Sequence, residues 1–228
     1  MKLSKRLQTL DSLVTQHYDH IWDCCCDHGF LGMTLLKRQA ATQVHFVDIV
    51  PDLMDLLHQR LERYFPRQAG FDWQIHCQDV GTLPLAQHEG KHLVIIAGVG
   101  GDLMSELVKA IIHTYPNTTI EFLLCPVHHT YTLRSLLQEL GAQCISETLL
   151  EENGRYYEVL HVVTRSQTHQ HRTLSKVGEQ IWQQSDQQRE LAKRYHAKLL
   201  AHYARMQQST PDKVAPILTA YQAITFDD

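Results

Sequence analysis

Between residues 20 and 165 the apolar positions keep switching rhythm. Short β-rich runs at 20–23, 44–48, 73–78, 92–96 and 121–125 alternate with longer stretches whose apolar residues fall three or four apart. Leu53, Leu56, Leu57 and Leu61 form one such helical stripe, and Leu103, Leu107 and Ile111 another. Strands alternating with helices predict a parallel, doubly wound α/β sheet with right-handed crossovers. The rhythm then changes, because two strand-like runs at 143–150 and 156–164 are separated by Glu151-Glu152-Asn153-Gly154-Arg155. Asn-Gly tolerates positive φ at both residues, so these runs read as an antiparallel hairpin.

Beyond Thr164 a polar stretch, 165–173, reads as a linker. Ala192, Tyr195, Leu199, Tyr203 and Met206 then recur at helical steps, and a second stripe follows at Val214, Ile217, Leu218, Tyr221 and Ile224. Thr210 as cap and Pro211 as first helical residue mark the start of that second helix. The expected organisation is a domain of residues 1–165 followed by a small antiparallel helical hairpin, 166–228.

Composition narrows the class. The chain has 228 residues, 43% of them apolar, with no apolar run long enough to span a bilayer. The basic start, Met1 to Arg6, lacks the apolar segment of a signal peptide, so a cytoplasmic protein without a membrane partner is expected. The six cysteines include the run Cys24-Cys25-Cys26, while Cys77, Cys125 and Cys144 fall in strand-like stretches; buried reduced thiols are expected. Sixteen histidines occur, but none in an H-E-x-x-H or C-x-x-C spacing, so no metal site is expected. A formal net charge of -4 rules out a wholly basic surface and leaves room for a local basic patch.

In an open α/β sheet ligands bind beyond the carboxyl ends of the strands. The first strand runs into Asp23-Cys24-Cys25-Cys26-Asp27-His28-Gly29-Phe30-Leu31-Gly32, which lacks the three glycines of a pyrophosphate loop. Dinucleotide binding is disfavoured. A sulfonium cofactor carries no phosphate and instead needs acceptors for an ammonium group. Asp23 and Asp27 can supply them, although Asp23 reads equally as a structural turn carboxylate. Asp48, 25 residues after Asp23, stands where an acid binds ribose hydroxyls or, alternatively, caps the helix near Pro51. Asp79 either lines an adenine pocket or is a solvated turn residue. Ala97-Gly98-Val99-Gly100-Gly101-Asp102 is a glycine turn suited to close ligand approach or simply to a tight strand-to-helix crossing. His128 reads as a polar rim residue. A sheet ending in an antiparallel hairpin is, by fold analogy, the arrangement of class I methyltransferases.

Four ordered segments carry a more specific likeness: Leu3-Ser4-Lys5-Arg6-Leu7-Gln8-Thr9, the Asp23-x-x-x-Asp27-His28 turn, Ile96-Ala97-Gly98-Val99-Gly100-Gly101, and Leu149 through Leu160 around Asn153-Gly154. From Leu3 to about Val163 the chain resembles the bacterial tRNA (adenine(22)-N1)-methyltransferase family. The resemblance implies a Rossmann-like catalytic domain using S-adenosyl-L-methionine and a coiled-coil-like helical tail that assists tRNA binding. It places Asp27 and His28 beside the methyl donor, Asp48 at the ribose, Asp79 on the adenine side and Gly98 to Gly101 as the glycine turn; with Asp23, Cys25 and Ala97 from the same turns, the expected cofactor site is Asp23, Cys25, Asp27, His28, Asp48, Asp79, Ala97, Gly98 and Gly100. Three departures stand out. Cys25 replaces the usual glycine, Cys125-Pro126-Val127 replaces Gln-Pro-Asn, and the tail is short.

N1 of a neutral adenine already bears a lone pair, so methyl transfer to it needs positioning more than deprotonation. A carboxylate near the exocyclic amine would stabilise the developing positive charge, and Asp27 is the candidate catalytic residue. The base must be exposed or flipped to present N1. Lys5, Arg6 and Arg134, with Lys2, Lys193, Arg194, Lys198 and Arg205, are candidate phosphate contacts or a solvated charged face. Alternatives are a small-molecule methyltransferase, a non-catalytic tRNA-binding module of the same fold, and a cysteine-nucleophile or metal enzyme at Cys24 to Cys26 and His28. A monomer is expected.

Overall fold

The structure is a computed structural model that describes residues 3–165, 172–183 and 186–226. Lys2 and most of the expected linker lie outside the described residues. Five strands run parallel in the order β3 (Trp73–Cys77), β2 (Ala41–Asp48), β1 (Tyr18–Cys24), β4 (His92–Ala97) and β5 (Ile120–Cys125). Strand β7 (Arg155–Val163) pairs antiparallel with β5, and β6 (Gln143–Glu152) pairs antiparallel outside it. Asn153 and Gly154, at φ 52 and 72, make the hairpin turn that their sequence predicts. A two-residue edge strand, β8 (Arg172–Thr173), pairs with β6 within the stretch expected to be a linker.

Helices α1 (Lys5–Leu13), α2 (Phe30–Lys37), α3 (Pro51–Tyr64), α4 (Gly101–Thr114) and α5 (Thr130–Glu139) cover the two faces. Two apolar cores result, one centred on Ile21, Phe46, Leu57 and Ile95, the other on Trp22, Val94, Met104 and Phe122. The helical periods are as read, with a shift in the inward stripe. Leu56 and Leu103 stay exposed while Met54 and Met104 are buried in their helices. Among the described residues no helix is long and apolar enough to cross a membrane.

Helices α6 (Asp186–Gln207) and α7 (Pro211–Gln222) form the hairpin, and Ala192, Tyr195, Tyr203, Val214, Leu218 and Tyr221 bury against Leu149, Ile181 and Trp182. Met206 ends the stripe exposed. Thr210 makes no side-chain cap bond. Its hydroxyl instead donates to the Met206 carbonyl.

Arg134 departs furthest from expectation. Expected on the surface as a phosphate contact, it is fully buried and cannot reach one. Its Nε and Nη2 donate to one Glu158 oxygen at 2.8 and 2.5 Å, and Nη1 donates to Glu147 and to the Ser175 carbonyl. Glu147 also accepts from the Glu179 and Gln180 amides, and Glu158 from the Tyr195 hydroxyl at 2.7 Å. One guanidinium thus joins α5, β6, β7, the 172–183 segment and α6. Arg134→Met would leave two carboxylates buried without their counter-charge, a loss of about 3–5 kcal/mol that urea unfolding would measure.

A second polar group lies inside the sheet. His45 is wholly buried and stacks on Trp22 with ring centroids 3.7 Å apart, surrounded by His20, His76, His88 and His92. Burial first, and the neighbouring imidazoles second, push His45 down to about 2 and His92 down to about 4 from the usual 6.5. His76 and His88 move the same way. The unfolded chain therefore binds more protons below pH 6.5, and stability falls as pH drops through that range. Asp23, raised to about 7, opposes this with a single proton against four histidines. Urea midpoints at pH 7 and pH 5 should differ in that direction, and His45→Gln should flatten the difference.

Candidate active site

The candidate residues gather where β1, β2, β3, β4 and β5 end. The turn after β1 is tight: Cys25 and Asp27 take φ 53 and 49, and the Cys26 amide donates to the Val47 carbonyl at 3.2 Å. Left-handed backbone favours glycine, so Cys25 carries strain at the position where the resemblance calls for glycine. Asp23 is buried, and its Oδ2 accepts from the Gly32 amide at 2.8 Å. Burial pushes its carboxyl up to about 7, with the Asp48 charge adding and the Gly32 bond opposing. Asp23 thereby fastens the start of α2 to β1, the turn role that its sequence position also allowed.

Asp48 bridges two turns. Its Oδ2 accepts from the Asp27 amide at 3.1 Å and its Oδ1 from the Val50 amide at 3.2 Å. It holds the entry to α3 without being its cap, which is Val50. Ile49 and Val50 stand exposed beside it, an apolar wall at a polar strand end. Asp27 points outward, 67% exposed, with Oδ1 3.6 Å from Nε2 of a half-exposed His28. Asp79 is exposed and caps a short turn, Val80–Thr82, through the Gly81 amide at 2.6 Å.

The glycine turn after β4 divides by function. A Cβ on Gly100 would fall 2.3 Å from the His128 ring, and one on Gly101 2.3 Å from the His129 carbonyl. Those two glycines are required by the β5 loop, which is tied on by the Val127 amide to Val99 and the Gly101 amide to His128. Gly98 is different. At φ 90 it faces open space, where an added Cβ would meet only Nη2 of Arg6, 3.9 Å away. Ala97, half-buried, ends β4 beside it.

Helix α1 brings Arg6 to this turn. Its guanidinium lies 5.2 Å from the Tyr157 ring centroid, its amide donates to Glu152, and its buried Nε finds no partner among the described residues. Lys5 is exposed and donates to the Glu151 carbonyl. Tyr157 has no signal of its own in the sequence beyond lying in the Leu149-to-Leu160 segment that carries the likeness. A groove of about 320 Å³ opens alongside, lined by Val127, His129, Tyr131, Tyr156, Lys198 and Arg205 among others. The Lys198 amine lies 5.0 Å from the Tyr156 ring centroid, while Arg194 pairs with Glu151 and Lys193 with Glu190.

The cysteines make no disulfide among the described residues. Burial foremost, then the nearby Asp48, Asp23 and Asp79, raises the Cys25 thiol to about 11, and Cys24 and Cys26 are also raised. Thiols held protonated make poor nucleophiles. Cys77 departs from the expected burial and is exposed at the end of β3.

Residues 3–160 match the family described as a methyltransferase domain. The chain belongs to this methyltransferase family. A Mycoplasma pneumoniae protein provisionally named a tRNA methyltransferase is 28% identical over 172 residues, 73% of this chain and 74% of that one. The structure of the B. subtilis m1A22 tRNA methyltransferase TrmK superposes with a TM-score of 0.75 at 18% identity, over 97% of both chains. Streptococcus pneumoniae Sp1610, solved with S-adenosyl-L-methionine, superposes with a TM-score of 0.72 at 22% identity, over 97% of this chain and 98% of that one. Both likenesses show that the methyltransferase shares their fold throughout, tail included.

The His128 contact makes a direct test of the glycine turn. Gly100→Ala should cost about 1–3 kcal/mol by overpacking, read from urea unfolding, and His128→Ala in the same chain should recover most of that loss.

Proposed function

We propose that this methyltransferase transfers the methyl group of S-adenosyl-L-methionine to N1 of an adenine in tRNA, at position 22. The observation that carries the reading is the extent of the likeness to the B. subtilis enzyme. It spans 97% of both chains and so takes in the α6–α7 hairpin, which lies outside the 3–160 methyltransferase domain. A small-molecule enzyme would need only the domain.

The residues present suit the cofactor. Asp48 keeps free lone pairs beside the apolar Ile49 and Val50, matching a ribose next to an adenine. Gly98 leaves a cradle that any side chain would fill. Asp23 and Cys25 act through the turn, Asp23 as a positioning residue. Asp79 and His28 stand at the rim. When bound, the cofactor supplies an electrophilic methyl group on a sulfonium.

Asp27, exposed on the β1 turn, accepts a hydrogen bond or a proton from the exocyclic amine as N1 becomes cationic. Arg6 and Tyr157 offer a stacked cation and ring for the exposed base. Lys198 and Arg205 supply phosphate contacts along the groove, Lys5 adds one at the hairpin tip, and residues 1–165 hold the cofactor and carry the chemistry.

Incubation with labelled S-adenosyl-L-methionine and unmodified tRNA should yield N1-methyladenosine on nucleoside analysis. Asparagine tolerates the left-handed backbone at position 27, so Asp27→Asn should keep the fold and cofactor affinity while turnover falls about 10²-fold. Unchanged turnover would remove Asp27 from the mechanism. No transfer to tRNA with cofactor binding intact would favour a small-molecule acceptor.

A further inference from the structure

A cluster of one buried and two half-buried histidines lies away from the strand ends that form the candidate site, and the methyl-transfer reading gives it no work. His20 on β1, His45 on β2 and His88 on the loop before β4 each offer a ring nitrogen, and the three nitrogens lie within 4.8 Å of one another. We propose that this triad is a binding site for one borderline transition-metal cation of the zinc class.

The chemistry of the donors sets the choice of ion. Neutral imidazoles suit zinc, copper and nickel, whereas magnesium and calcium want oxygen donors. An ordinary imidazole is mostly neutral at pH 7, so its lone pair is available to a metal without strong acid competition. His20 Nδ1 and His45 Nε2 are 3.1 Å apart. Two nitrogens bound tetrahedrally at about 2.0–2.1 Å would stand roughly 3.3 Å apart, so this pair is already spaced as metal ligands. The His88 ring, with centroids 4.6 Å from His45 and 4.9 Å from His20, is half-buried on a loop and closes the third side.

The surrounding groups match what ligating histidines need. A metal-bound imidazole usually donates its other N–H to a carbonyl or another acceptor, which fixes ring orientation. His20 Nε2 sits 3.1 Å from the Glu89 carbonyl, to which it can only donate, so its Nδ1 carries the lone pair. His45 Nδ1 sits 3.0 Å from His76 Nε2. Without an ion, the chain of donors runs from His76 to His45 to His20. With an ion on His45 Nε2, the His45 proton moves to Nδ1 and is donated to His76, whose own proton moves to its Nδ1. Protons are conserved, and no residue need become charged. Trp22 beneath His45 donates its indole N–H to His92 Nδ1, which takes His92 out of the ligand set.

The ion would pin the loop of short turns Val80–Thr82 and Leu85–Gln87 to β1 and β2. That loop begins at Asp79, on the cofactor side of the sheet. The site therefore acts as a clamp distant from the chemistry, and its occupancy reads out as stability.

The test uses the full chain stripped with chelator, then titrated with Zn2+ or Co2+, with Mg2+ as control. The expected result is one ion per chain, visible Co2+ absorption bands in the range of nitrogen-rich tetrahedral coordination, and a Tm about 5 °C higher at saturating Zn2+. His88→Ala, a half-buried loop change that keeps the fold by circular dichroism, should weaken binding at least about 10-fold and abolish the Tm shift. His20→Ala should do the same. Stoichiometric binding that survives both variants, or that disappears in Cys77→Ser, would overturn the assignment. So would the absence of any Zn2+ or Co2+ binding. None of these readouts depends on methyl transfer, so the site and the tRNA reading fail separately.

Discussion

The architecture depends on one buried cation. A parallel sheet that ends in an antiparallel hairpin has to bring β7 between β5 and β6, and a helical tail must then be seated on the resulting edge. Arg134 does both from the middle of α5: its guanidinium satisfies Glu158 on β7 and Glu147 on β6, while Glu147 caps the 179–180 backbone and Glu158 receives Tyr195 of α6. Each charge is covered by the others, so the group is stable only when every element is in place. Conformational specificity follows. A sheet edge completed by apolar contacts alone could slide by a residue pair, whereas this network admits one register of β6, β7 and α6.

That anchoring bears on the active site through α1 and the hairpin end. Glu151 and Glu152, at the tip of β6, hold Lys5 and Arg6, and Arg6 in turn reaches Gly98 and Tyr157. The rim that faces the cofactor turn is thus built from the first helix and the last hairpin together. The tail shares a core with Leu149 of the same strand, so the groove and the rim are built on one scaffold. The acids at the strand ends differ in burial. Asp23, buried, secures Gly32; Asp48, half-buried, ties two turns; Asp27 is exposed, with only His28 beside its carboxylate.

Much of this was legible in order along the chain. Every parallel strand falls where its apolar run lies, and Asn153-Gly154 turns the hairpin because both residues accept positive φ. The turn acids are also readable, since a carboxylate at a strand end has few places to go. Gly98, Gly100 and Gly101 look alike in the sequence, yet of the three only Gly98 faces open space, because the other two are crowded by His128 and His129 of the loop after β5. Leu56 and Leu103 fit a helical stripe but face outward, because the inward stripe runs through Met54 and Met104 instead.

The sequence by itself determined the periodic things: strand and helix positions, the hairpin, the acids at the strand ends and the family. These depend on neighbours within a few residues, where spacing alone sets which side chains share a face. Only the tertiary structure decided what depends on distant partners. Arg134 reads as a surface cation until Glu147 and Glu158 are seen to enclose it. His20, His45 and His88 read as scattered histidines because 25 and 43 residues separate them, and only the pairing of β1 with β2, and the path of the loop entering β4, set them side by side.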